Sequence, residues 1–170
     1  QPVYITGQTD KPNYENLVIN GSQVLSQLPY KTYSQWMAHS EMQRNPDPCY
    51  LDFAKTPKWG YVVGIEQEAL LDAYLASKDE SIINYLKQYP AKMIDEKGNI
   101  TGYEYSAFNL DNTRPARFIL RMNELFPEKK NELALKTIFK QLEKQPRTND
   151  GVWWHKAIYA YQVWLDGVYM

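Results

Sequence analysis

Cysteine is nearly absent from this chain. Cys49 stands alone, so no internal disulfide is available. Histidine is almost as scarce, and two His beside one Cys do not furnish a zinc cluster. Charge of one sign is missing too: 19 Lys and Arg nearly balance 20 Asp and Glu. That balance gives no basic field for nucleic acid and no acidic tail. No apolar run approaches the roughly 18 residues of a membrane span. What remains is a chain of 170 residues, enough for one domain with a sizeable core.

Aromatic residues are what the chain has in excess. They make up 14% of it, with 14 Tyr and 5 Trp, which favours a stacking or carbohydrate surface over a plain helical scaffold. The densest stretch is the last sixteen residues, where His155, Tyr159, Tyr161 and Trp164 crowd about one carboxylate, Asp166. Flat rings with polar edges suit a sugar cleft, because the faces meet sugar C–H groups and the tips meet hydroxyls. The plainer reading makes Asp166 the cap of a helix beginning at Gly167.

Residues 1–30 form a polar lead-in broken by Pro2, Pro12 and Pro29. One short amphipathic helix is expected there around Val18, Ile19, Val24, Leu25 and Leu28, and Asn20-Gly21-Ser22 reads as a surface turn. Residues 31–170 follow a helical rhythm. Tyr33, Trp36, Met37 and Ser40 share a face that runs to Arg44, where Asn45-Pro46-Asp47-Pro48 ends the helix. A second helix carries the stripe Val62, Ile65, Ala69, Leu70, Ala73 and Tyr74. Asp79 is placed to cap a third, which buries Ile82, Ile83, Leu86, Tyr89 and Met93.

Next comes an aromatic loop, Tyr103 to Asn112, and a helix opened by Pro115 in its first turn. Its stripe is Phe118, Ile119, Met122, Leu125 and Phe126; a partner helix after Pro127-Glu128 carries Leu133, Ile138, Phe139 and Leu142. His39 has no evident partner, and Glu66 and Glu68 read as a solvated or inter-helical pair. Cys49 carries no nucleophile signature.

A repeat emerges, in which each unit is an aromatic loop, a helix, a turn and a return helix. The junctions at Trp59, Asp111 and Asp166 lie 52 and 55 residues apart. Such units must stack on neighbours to bury both faces. A closed ring of helical hairpins with a cleft at the loop end is expected, and Met170 falls where a third inner helix has barely begun.

The segments Lys58-Trp59-Gly60-Tyr61, Asn109-Leu110-Asp111-Asn112, Trp154-His155-Lys156 and Trp164-Leu165-Asp166-Gly167 resemble the unsaturated rhamnogalacturonyl hydrolases, glycoside hydrolase family 105, related to the unsaturated glucuronyl hydrolases of family 88. The resemblance extends over about residues 33 to 170. It implies an all-α fold, an (α/α)6 barrel of which this chain covers about the first half, so the remaining half is a needed partner. It implies a substrate with a non-reducing unsaturated uronate, from pectin or rhamnogalacturonan, and neither cofactor nor metal. No nucleic acid or membrane enters. The resemblance makes Asp166 the proton donor to carbon 4 and then the base toward water, with Asp111 as second carboxylate. Tyr61, Trp59, His155, Lys156 and Trp164 match substrate-contacting positions.

A donor must be protonated near neutral pH, whereas a free Asp has a pKa of about 3.9. Burial among Trp164, Tyr161 and Trp154, with repulsion from Asp111, is expected to raise it. A helix N-terminus pushes the other way, by roughly 1 kcal/mol or less. The rivals within enzymes are an ordinary two-carboxylate glycosidase and an unsaturated glucuronyl hydrolase of different substrate preference. The rival outside them is a non-catalytic helical scaffold binding a glycan or a protein. The start at Gln1 suggests a removed leader, hence a periplasmic or extracellular protein, with the cytoplasm as the alternative.

Overall fold

The computed structural model describes residues 29–170. The short helix expected around Val18 to Leu28 and the turn at Asn20 lie outside them. Among the described residues seven α-helices follow one another: α1 (Tyr33–Arg44), α2 (Tyr61–Ser77), α3 (Glu80–Leu86), α4 (Gln88–Met93), α5 (Arg114–Leu125), α6 (Lys129–Lys144) and α7 (Leu165–Tyr169). Single 3-10 turns sit at Pro48–Tyr50, Tyr105–Ala107 and Leu110–Thr113. Among the described residues only two isolated β-bridges occur, Ile94 with Ile100 and Arg147 with Trp153.

Local chemistry sets the helix ends. Thr32 caps α1 by accepting from the Gln35 amide, and Asn45 before Pro46 closes it. Lys78 takes a left-handed conformation to end α2, and Asp79 then accepts from the Ser81 amide to start α3. So short a link makes α2 and α3 an antiparallel hairpin. The expected third helix is broken at Lys87 into α3 and α4; Pro90 has no N–H to carry the ladder across that point. Pro115 lies in the first turn of α5, and Phe126 to Glu128 turn the chain into α6.

Helix α2 is the hub, packed against α1, α3 and α5, while α5 also packs on α6. This position corrects the expected stripe. Ala69 is exposed, whereas Val63, Gly64, Gln67, Glu68, Leu70, Leu71 and Ala73 are buried. A helix with neighbours on several sides buries polar positions as well as apolar ones. Gly64 permits the closest approach: a Cβ there would lie 2.8 Å from the Pro115 nitrogen. On α1 the expected face is also corrected, since Met37 is 70% exposed and small Ala38 is the buried residue. His39 is not partnerless; its Nε2 lies 2.7 Å from Asp79 Oδ2 and ties α1 to the α2–α3 turn.

The core itself is as expected for α3 and α4. Ile82, Ile83, Leu86, Tyr89 and Met93 are wholly buried, each contributing about 1.5–3 kcal/mol by its removal from water. Phe118, Ile119 and Met122 of α5 and Ile138 of α6 join them, while Leu125 and Phe139 stay exposed. Tyr89 stands edge-on to Phe118 and stacks on Trp59. Glu68 is no solvated side chain: it is buried between α2 and α5 and faces Arg114, Arg117 and Arg121.

Candidate active site

The loops entering α2, α5 and α7 carry the candidate residues, and two of these loops are hooked together by backbone. Leu110 N–H donates to the His155 carbonyl at 3.0 Å, and Ala157 N–H donates to the Ala107 carbonyl at 3.0 Å. His155 N–H in turn donates to the Gln162 carbonyl, which folds the segment 155–162 back on itself. Residues remote in sequence thereby meet at one point.

Asp111 lies in the turn Leu110–Thr113, whose own geometry comes from Asn109: its side chain accepts from the Asp111 amide at 3.0 Å. The Asp111 carboxylate faces Lys156 Nζ at 2.6 Å and His155 Nε2 at 3.4 Å. His155 is 1% exposed and its Nδ1 finds no hydrogen-bond partner among the described residues. Burial pushes its pKa down; the Asp111 carboxylate opposes this, Lys156 adds to it, and Asp166 opposes it. The imidazole is therefore held toward its neutral form, able to donate from one nitrogen and accept at the other.

Trp164 stacks on His155 with ring centroids 4.4 Å apart, and Tyr159 stacks on Trp164 at 5.1 Å. Trp164 thus spends ring surface on two protein neighbours. Its indole N–H donates to the Gln162 side chain at 3.0 Å. Gly167 explains why glycine follows Asp166: a Cβ there would sit 2.9 Å from His155 Nδ1 and 3.0 Å from Leu110 Cδ1. The bare backbone of α7 lets the helix lie against the imidazole and the Asp111 turn.

Asp166 lies in the first turn of α7, which begins at Leu165 rather than at Gly167. It therefore sits inside the helix and does not cap it. The expectation of a desolvated carboxyl is corrected, because Asp166 is exposed. Trp154 and Tyr161, expected to cover it, lie against each other with centroids 4.6 Å apart. The carboxylate of Asp111, expected to repel it, is paired with Lys156.

The two aromatics before α2 separate. Trp59 is 5% exposed and is a core ring: it stacks on Tyr89 and its indole N–H donates to the Asn112 carbonyl at 2.8 Å. It braces the turn next to Asp111 and has no face free for a ligand. Tyr61, at the first position of α2, is partly exposed. Of the arginines close to these motifs in sequence, Arg114 is buried against Glu68, and Arg147 lies over the Trp153 ring and donates to the Gly151 carbonyl.

Sequence reasoning missed Gln141 and Gln145 of α6 and its cap. Both are buried, and their side chains bond to the carbonyls of Phe108, Asn109 and Trp154. Their spacing of four residues, which puts both on one face where α6 ends, was the available signal.

A sequence model of Glycosyl Hydrolase Family 88 matches residues 33–170. The solved structure of a C. acetobutylicum glycoside hydrolase from family 105 is similar, with 31% identity and a TM-score of 0.73. The likeness covers 81% of this chain and 36% of that one, so the chain spans about a third of that protein's length. The all-α hairpins found here are those of an (α/α)6 barrel, in the part that the chain spans.

Proposed function

Because the chain belongs to glycosyl hydrolase family 88, we propose that it carries the acid–base residues of a hydrolase acting on oligosaccharides that end in an unsaturated uronate, from pectin or rhamnogalacturonan. The observation that carries this reading is the joining of Asp111, His155, Lys156 and Trp164 at one point beside the helix that bears Asp166.

In this reading Asp166 gives a proton to carbon 4 of the substrate's vinyl ether. Positive charge develops at carbon 5 and the ring oxygen, where the lone pair of that oxygen stabilises it. Asp166, now a carboxylate, takes a proton from water as the water oxygen bonds to carbon 5. The resulting hemiketal opens and releases the neighbouring sugar. Asp111, fixed by Lys156, holds a hydroxyl by accepting its hydrogen bond, and the buried His155 backs that carboxylate from behind rather than touching the sugar. Tyr61 supplies a ring tip at the cleft edge.

Proton donation requires the carboxyl form of Asp166, and closure of the site over it by substrate, and by the rest of the barrel, is assigned the work of favouring that form.

The test is an unsaturated disaccharide followed in the ultraviolet. Hydration removes the conjugated chromophore, and in heavy water deuterium enters carbon 4. Release of the sugar with the chromophore intact sinks the proposal and favours an ordinary two-carboxylate glycosidase. The exposure of Asp166 supports one other reading, a glycan-binding scaffold. Asp166→Asn separates it: a scaffold keeps its binding and has no turnover to lose.

A further inference from the structure

We propose that Gln145 is a positioning residue for the catalytic cluster: its carboxamide locks the loop that carries Asp111 to the loop that carries His155 and Lys156. Gln145 follows the last turn of α6 and is 3% exposed. Its Nε2 donates to the Phe108 carbonyl at 2.7 Å and to the Trp154 carbonyl at 2.8 Å. Both hydrogens of one amide are thus used on two different loops, one immediately before His155 and one three residues before Asp111.

The amide is itself held. Its Oε1 accepts from Gln141 Nε2 at 3.1 Å, and that nitrogen also reaches the Asn109 carbonyl at 3.3 Å. Gln141 Oε1 accepts from the Tyr103 hydroxyl. With these partners the orientation of the Gln145 amide is not interchangeable: flipping it would put an oxygen against two carbonyl oxygens.

Phe108 gives an independent reason for the lock. It takes a left-handed conformation, φ 43°, which a bulky residue holds only when its surroundings impose it. Gln145 fixes the carbonyl of that same residue. The consequence runs through backbone to the site: Asn109 orients the Asp111 amide, and Leu110 N–H meets the His155 carbonyl. Removing the Gln145 donors leaves two buried carbonyls unpaired, and the loops part to let water reach them. The 3.4 Å contact between Asp111 and His155 is the distance that opens.

This rests on the reading of Asp111 and His155 as site residues, so the experiment has two arms in the whole protein. The variants are Gln145→Met, similar in length without donors, and Gln145→Asn, which keeps the amide one methylene short. In the first arm, kcat on the unsaturated disaccharide falls at least 30-fold in Gln145→Met with KM changed less than 3-fold, and Gln145→Asn is intermediate. In the second arm, needing no substrate, the His155 imidazole is titrated by nitrogen-15 NMR. Burial is the largest cause holding it low and outweighs the opposing Asp111 carboxylate, so admitting water moves its midpoint up toward the ordinary value even as the Asp111 contact lengthens.

A folded Gln145→Met or Gln145→Asn protein with the unaltered His155 midpoint overturns the proposal, as does an unaltered kcat. If Gln145→Met fails to fold, Gln145→Asn decides by the same two readings. Should the unaltered protein leave the chromophore intact, the proposed chemistry fails, and the titration arm alone still decides whether Gln145 sets the cluster.

Discussion

Replacing Glu68 by Gln tests how the site end of the hairpins is held. Glu68 and Arg114 are buried, with side chains 7% and 4% exposed, and Glu68 Oε2 lies 2.5 Å from Arg114 Nη2. Glu68 Oε1 also meets Arg117 Nε at 2.9 Å and Arg121 Nη1 at 3.1 Å. Arg114 has little else: its Nε and Nη1 find no hydrogen-bond partner among the described residues, and its remaining neighbour is the ring and hydroxyl of Tyr169 on α7. A neutral amide at position 68 leaves the Arg114 guanidinium buried without its counter-charge. Breaking a buried pair from one side costs about 3–5 kcal/mol. Arg117 and Arg121 are more exposed and recover much of their loss in water.

For a chain of this size each kcal/mol moves Tm by about 2–4 °C, so a fall of about 6–20 °C is expected, read by thermal and urea unfolding. The double variant Glu68→Leu with Arg114→Met should recover more than half of that loss, because no charge is then left buried. A loss below about 1 kcal/mol for Glu68→Gln, or a double variant worse than the single one, refutes the reasoning.

Gly64→Ala should destabilise by about 1–3 kcal/mol through overpacking, since the added methyl meets Pro115 backbone at 2.8 and 2.9 Å and backbone cannot rotate away; urea midpoints measure it. Cys49 is wholly buried, and burial, with Asp47 beside it, pushes its thiol up to about 12. Thiol reagents at neutral pH should therefore label it only as fast as the protein opens, at a rate that rises with urea. His155, buried and held below its ordinary pKa of about 6.5, makes stability fall on acidification. The unfolded chain takes up the proton below about pH 6.5 while the folded one does not. The contribution is whole above that pH and is lost as pH falls to the folded value. Urea midpoints at pH 7.5 and 5.5 should differ less in His155→Gln than in the unaltered protein.

Much of this protein is determined by the sequence alone, where the signal is local. Prolines, Asp79, Thr32 and the apolar runs of α3 and α5 set where helices start, stop and face the core, because caps and missing donors act within one turn. The aromatic and acidic motifs likewise named Asp111, His155, Lys156 and Trp164, which do meet.

What tertiary structure decided is which residues have neighbours on every side. The buried face of α2 includes Gln67 and Glu68 because α1, α3 and α5 surround it, and no periodicity reveals that. Trp59 and Tyr61 are two residues apart, yet one is a core ring and the other a partly exposed one. Asp166 was expected buried and is exposed, since the rings beside it in sequence pack on each other and on His155. Gln145 bridges carbonyls 37 and 9 residues away; a side chain's partners across such distances are set by packing, and the chain order is silent about them.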